Sequence, residues 1–206
     1  MPGYRLLAIK GWGSVIVEMA AAIAGIALER EEIDFKGAGR DRLLKLNPLA
    51  QIPTLLLADG TVMTESAAII LYLSELKPGA GLAPAPGDGE RAIFLRWLVF
   101  LVAAIYPTFT IADDPTRLVS GAASQAELKE RAQAHRQALW RQVEKEVQGP
   151  WFLGSLFSAL DLYLAAMTRW GPGRDWFRVH APKLYAIALA AEALPAVAPV
   201  IDANFG

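Results

Sequence analysis

Two adjacent pairs of residues in this chain have the types and setting for chemistry, Ile52-Pro53 and Glu65-Ser66. A proline cannot donate to a β-ladder, so it belongs at an edge or a turn. With a cis Ile52–Pro53 bond, residue 52 would turn its backbone N–H and C=O outward, where a peptide-like ligand can pair with them as an added strand. Glu65-Ser66 stands before an apolar-periodic run. A helix N-terminus there would offer unpaired N–H groups and a positive dipole end, which suit a carboxylate. The plainer alternative is an edge proline and a helix cap with no ligand.

The elements that position both pairs lie within residues 46–73, LNPLAQIPTLLLADGTVMTESAAIILYL. Pro53 opens a short strand, Thr54 to Leu57, with a β-branched start. Asp59-Gly60 is a two-residue hairpin signal, and Thr61 to Met63 is the return strand. Thr64-Glu65-Ser66 then leads into an apolar helix. Upstream, Tyr4 to Ile9 reads as a strand, and Lys10-Gly11-Trp12-Gly13 as a turn. From Ser14 a helix places Val15, Met19, Ala22 and Ile23 on one face and ends at Gly25. Ala27 to Phe35 reads as a second strand. Strand–helix–strand implies a parallel pair with a right-handed crossover. The Lys36-Gly37-Ala38-Gly39-Arg40 stretch reads as a flexible connector, since neither Gly-x-Gly-x-x-Gly nor a Gly-Lys-Ser/Thr ending follows. Lys36 or Arg40 could meet a ligand carboxylate by charge.

Residues 78–89, PGAGLAPAPGDG, cannot continue a helix or a strand and read as a linker. The domains expected are therefore 1–77, the linker 78–89, and an all-helical 90–206. In the last of these, Glu90 to Ala112 reads as one long helix bent near Pro107. A Ser124–Glu127 capping box starts a charged helix that runs to about Val147. Ser158–Asp161 starts another, with Phe157 as staple.

Composition narrows the chemistry. The chain has 206 residues with no cysteine, so disulfides, thiolate metal sites and cysteine nucleophiles are excluded. His135 and His180 have no second ligand at metal spacing, and no Gly-x-Ser-x-Gly elbow is present. The net charge of −1 suggests neither nucleic acid nor an anionic membrane as partner. The longest apolar run, Trp97 to Tyr106, falls short of the roughly 20 residues that span a bilayer. The segment MPGYRLLAIK lacks a signal-peptide layout, so a cytoplasmic protein is expected.

The string Asn47-Pro48-x-x-Gln51-Ile52-Pro53-Thr54-Leu55, then Asp59-Gly60, then Thr64-Glu65-Ser66 with an apolar helix behind it, resembles the glutathione-binding half of the cytosolic glutathione transferases. Trp151-Phe152-Leu153-Gly154 followed by Phe157-Ser158-Ala-Leu-Asp161 is similar to the capping region of a buried helix in the same family, where its role is folding. The resemblance implies an α/β thioredoxin-like N-terminal domain and an all-α C-terminal helical domain. It implies glutathione as co-substrate, no metal, a homodimer and a detoxifying transferase. The apolar bias of Ala67 to Leu73 and Phe94 to Leu101 is compatible with a dimer interface.

The resemblance also implies site roles. Ile52, following Gln51 and preceding Pro53, would pair through its backbone with the cysteinyl part of glutathione. Ser66 and its helix amides would take the γ-glutamyl carboxylate, and Glu65 the ammonium. The thiol would lie at the start of the first helix, where Gly13 aligns with the catalytic cysteine of the bacterial class. Ser14 is the only hydroxyl there, and it is the expected thiolate stabiliser, with backbone N–H groups of Gly13 or Ser14; the alternative is a simple helix cap. Trp12, Phe100, Tyr106 and Phe109 would wall the second substrate, an apolar electrophile, and Tyr106 could donate to the thiolate or the electrophile. The alternative for these aromatics is core packing. A glutathione-binding module without turnover, peroxide reduction and ether cleavage are the competing functions.

Overall fold

The computed structural model describes residues 3–206. They form two compact units, one made of the described residues through Ala85 together with Ala190–Gly206, the other Pro86–Leu189. The last stretch thus packs with the N-terminal unit, whereas the sequence assigned it to the helical domain.

The first unit is built on a four-stranded sheet in the order β2-β1-β3-β4. Its strands are β1 (Tyr4–Ala8), β2 (Leu28–Glu32), β3 (Thr54–Leu56) and β4 (Val62–Met63). β1 runs parallel to β2, with Leu6 opposite Arg30, and antiparallel to β3, with Leu6 opposite Leu55. The parallel pair is joined by α1 (Ser14–Ala24), which ends at Gly25 with φ +62°. That left-handed cap returns the Gly25 N–H to the Ala21 and Ala22 carbonyls, an arrangement glycine adopts without steric cost. β2, Leu-Glu-Arg-Glu-Glu, is an edge strand. Its charges pair with neighbours, Glu29 with Arg5 at 3.2 Å and Glu31 with Arg42 at 2.8 Å, and a charged edge resists pairing with another chain.

The Lys36–Arg40 stretch is not a flexible connector. It enters α2 (Ala38–Leu46), whose Leu43 packs with Leu7, Ile33, Ala50 and Ile52 under the sheet. Gly39 has a steric role, because a Cβ there would lie 2.1 Å from the Asp34 carbonyl oxygen. The Gly-x-Gly spacing serves a tight entry into a helix.

The hairpin leads to α3 (Ser66–Leu76), which packs on α1. After α9 (Pro182–Glu192), the chain closes the first unit with α10 (Ala198–Phe205), also against α1.

The second unit holds α4 (Arg91–Phe100), α5 (Tyr106–Asp113), α6 (Ala122–Glu146), α7 (Ala159–Met167) and α8 (Arg174–His180), and most of α9. The expected bent helix is present, but the irregularity precedes the proline: Leu101–Ile105 is a π-helical turn between α4 and α5. Pro107 has no N–H and its ring collides with the carbonyl four residues back, so the widened turn relieves both conflicts. The helical stretch Arg91–Asp113 has 23 residues and a mean hydropathy of 1.9, long and apolar enough by composition to cross a bilayer. It carries Phe94, Trp97, Leu98, Leu101, Ile105 and Phe109 of the buried core, which accounts for its hydropathy.

α6 starts at Ala122 behind Gly121, not at a Ser124 cap. Gly121 has φ +84°, so the chain turns into the helix three residues earlier, and Glu127 pairs with Arg131 at 2.8 Å on the exposed face. α7 is capped as expected by Ser158 and Asp161.

Candidate functional site

The turn between β1 and α1 is fixed amide by amide. The Lys10 N–H donates to Glu32 Oε1 at 3.1 Å, Gly11 to Asn204 Oδ1 at 3.1 Å, and Trp12 to the Ile9 carbonyl at 3.0 Å. The next two N–H groups, of Gly13 and Ser14, have no acceptor among the described residues. They open α1, where the helix dipole favours negative charge.

The Ser14 side chain is turned inward. It is fully buried, and its Oγ donates to the Ile9 carbonyl at 3.3 Å and lies 3.4 Å from the Ile9 nitrogen. Gly13, and not Ser14, occupies the cap position of α1. The hydroxyl expected to stabilise a thiolate is thus tied to the end of its own strand. A short side chain at the first helical position can turn back to the preceding backbone.

The second half of the site is the Asn47–Pro53 turn and the start of α3. Asn47 is buried, and its Nδ2 donates to the Gln51 carbonyl at 3.0 Å and Thr54 Oγ1 at 3.3 Å, while Oδ1 accepts the Leu49 N–H at 3.1 Å. Thr54 Oγ1 also donates to the Gln51 carbonyl, at 2.9 Å. The Gln51 side chain is exposed, whereas those of Ile52 and Pro53 are buried. The Ile52–Pro53 bond is cis. Among the described residues no hydrogen bond involves the Ile52 N–H or C=O.

Glu65 caps α3 in an uncommon conformation, with φ +63° and ψ +106°. A non-glycine residue held there costs on the order of 1–3 kcal/mol, and such outliers cluster at functional sites. Its exposed carboxylate has no cation partner among the described residues. Ser66 is the first residue of α3 and half-buried. Lys36 and Arg40 are exposed, and neither forms an ion pair among the described residues.

The four aromatic candidates divide. Trp12 is 46% exposed and packs on Phe35, with ring centres 5.2 Å apart. In the helical unit, Tyr106, Phe109 and Trp170 meet edge to face at 5.4 to 6.2 Å. Phe109 is buried, and the Arg136 guanidinium lies 4.2 Å above its ring. Phe109 thus packs within the core of the helical unit. Phe100 is half-buried on Trp97 at 5.1 Å. The Tyr106 hydroxyl has no hydrogen-bond partner among the described residues. Burial, with a smaller contribution from Asp113, pushes its pKa well above the ordinary tyrosine range. It is a neutral donor, not a base.

Among the described residues no cluster of His, Asp and Glu is arranged to hold a metal ion. Two residues that brace the β1–α1 turn from behind gave no signal in the sequence. Asn204 lies 193 positions from Gly11, and Glu18, its other partner, reads as one polar residue on an apolar helix.

A thioredoxin-like unit with a cis-proline ahead of its third strand, joined to an all-helical unit, defines the fold class. The model of the glutathione S-transferase N-terminal domain matches residues 14–76. The chain is 39% identical to the uncharacterized GST-like protein YncG of Escherichia coli over 97% of its own length and 98% of that protein. It is 33% identical to the glutathione S-transferase GST-4.5 of Xanthomonas campestris over 62% of each. A glutathione transferase homolog from Sulfitobacter, solved with bound glutathione, superposes with a TM-score of 0.86 at 25% identity over 98% of both chains. The chain belongs to the glutathione S-transferase family.

Proposed function

We propose that this protein binds glutathione and transfers its thiolate to a small apolar electrophile in the cytoplasm. The observation that carries this reading is the strained Glu65 backbone at the head of α3, beside a carboxylate without a cation. In the γ-glutamyl end of glutathione, an ammonium suits Glu65, and a carboxylate suits Ser66 and the first amides of α3. The Ile52 N–H and C=O would pair with the cysteinyl backbone as an added strand, beside Gln51 and Pro53. Lys36 or Arg40 would meet the glycyl carboxylate.

A thiol of pKa about 8.5 is only a few per cent ionised at neutral pH. The N–H groups of Gly13 and Ser14 would stabilise the thiolate, since the Ser14 hydroxyl is engaged with Ile9. The thiolate sulfur then forms a bond to the electrophilic carbon, the leaving group departs with its electron pair, and the thiol proton passes to water. Tyr106, protonated throughout the working pH range, would donate to the electrophile or its leaving group. Trp12, half exposed at the β1–α1 turn, would contact the electrophile's apolar body. The exposed Ile93 and Val99 on α4 fit a homodimer contact.

A second reading is favoured by the buried Ser14 hydroxyl: glutathione is held without turnover, because no side chain activates it. Thiolate absorbance of the protein with glutathione, scanned across pH, separates the two. A bound-thiol pKa well below the free value is expected of the transferase. Binding with an unshifted pKa would support the carrier, and absence of binding would remove both.

A further inference from the structure

We propose that Asn204, on the C-terminal helix, is a positioning residue for the thiolate-binding turn; this rests on the glutathione reading above. Asn204 is 4% exposed. Its Oδ1 accepts the Gly11 N–H at 3.1 Å, and its Nδ2 donates to Glu18 Oε2 at 3.2 Å and the Val200 carbonyl at 3.0 Å. Both halves of the amide are used, and the orientation is forced. The flipped amide would face a donor with a donor and two acceptors with an acceptor.

Glu18 is itself fixed, because the same Oε2 takes Arg30 Nε at 3.2 Å. Asn204 therefore ties the turn at Gly11 to the middle of α1 and, through Glu18, to β2. Gly11 has φ +75°, and a Cβ on it would meet the Asn204 carbonyl and the Phe205 ring at 3.5 Å. Those distances leave room for a Cβ, so it is the positive φ that favours glycine in this turn. Lys10 Nζ adds a contact to the Gly206 carbonyl at 3.4 Å.

The consequence lies two residues downstream. The Gly11 N–H points at Asn204, so the next peptides follow with their N–H groups at Gly13 and Ser14 left for a ligand. Electrostatic stabilisation by backbone donors depends on their direction being set beforehand. Without Asn204 the Gly11 N–H loses this bond, and the turn is held less firmly in that direction. Asn204 touches no part of the ligand in this scheme. It acts through Gly11.

The test uses full-length wild type and the variants Asn204→Ala, Asn204→Gln and Glu18→Gln. Circular dichroism checks folding, calorimetry measures glutathione affinity, and thiolate absorbance gives the bound-thiol pKa. Asn204→Ala is expected to raise that pKa by about one unit while affinity stays within about threefold. Asn204→Gln, which keeps a buried amide but displaces it, should shift the pKa in the same direction by less, and serves if Asn204→Ala does not fold. Glu18→Gln preserves an acceptor for Nδ2 and should leave the pKa at the wild-type value. An unshifted pKa in folded Asn204 variants overturns the proposal, and so does an equal shift in Glu18→Gln. A wild-type thiol that binds at its free pKa overturns it while glutathione binding stands. Failure of wild type to bind glutathione removes the function on which it rests.

Discussion

Asp161 and Ser158 cap α7 reciprocally: Asp161 Oδ2 accepts the Ser158 N–H at 2.7 Å, and Ser158 Oγ accepts the Leu160 N–H at 3.3 Å. The other Asp161 oxygen accepts the Phe152 N–H at 2.7 Å, so one carboxylate joins the helix start to the segment before it. Both residues are fully buried. Asp161→Ala leaves two buried N–H groups without acceptors and is expected to cost about 3 kcal/mol, read by denaturant unfolding.

Asp161 also sets a pH dependence. Burial pushes its pKa up to about 7, against the pull of the three backbone N–H groups that favour its charged form. The unfolded value is about 3.9, so between about pH 4 and 7 the folded state holds a proton that the unfolded state has released. This contribution is full below the unfolded pKa and is lost as pH rises through the folded one. Wild type should therefore lose stability from this group on going from acidic to neutral pH. Asp161→Asn should be less stable at every pH, since one amide cannot accept from both donors, and should lack that slope. Equal slopes in wild type and variant would show that Asp161 does not titrate in this window.

Glu65→Gly tests whether the strained backbone serves ligand binding. Glycine takes φ +63° without a Cβ clash, and the relief of about 1 kcal/mol roughly offsets its greater freedom when unfolded. The melting temperature should stay level or rise, while glutathione affinity falls by at least about tenfold through loss of a charged partner. Unchanged affinity in calorimetry would leave Glu65 a helix cap.

Ser14→Ala should not move the bound-thiol pKa. Its hydroxyl is directed to Ile9, so the loss appears in stability, at about 1 kcal/mol. A raised pKa at unaltered stability would return the activating role to the hydroxyl.

Arg136 presents a different balance. It is 5% exposed, stacks on Phe109, and reaches Thr108 Oγ1 at 3.5 Å, while its Nε is buried without an acceptor. Burial lowers its pKa, partly opposed by Asp113. Arg136→Met keeps the volume and removes the desolvated charge, so stability should change by less than about 1 kcal/mol or rise. Arg136→Ala should cost about 2–3 kcal/mol through the cavity. A large loss in the methionine variant, read by denaturant unfolding, would show that the charge itself stabilises the unit.

The sequence by itself determined the elements whose cause is local. The Asp59-Gly60 hairpin, the Gly25 stop, the Ser158–Asp161 cap and the strand–helix–strand order all follow from short-range rules of turn geometry, capping and period. The motif from Asn47 to Ser66 carried the family for the same reason, because its residues are neighbours in the chain. Local signals also misled where two competed. Ser124–Glu127 fits a capping box, yet Gly121 turns the chain first. Lys36–Arg40 looks like a loop, yet Leu43 beneath the sheet draws the stretch into a helix.

Only the tertiary structure decided which polar groups remain for a ligand. Ser14 had the right type in the right place, but its hydroxyl is buried and lies against Ile9. Asn204 had no motif at all, and its bond to Gly11 exists because α10 returns to α1 across nearly the whole chain. Spacing along the chain reports what a residue can do. Hydrogen-bond satisfaction depends on what lies opposite in space, and no local pattern encodes a partner 193 positions away.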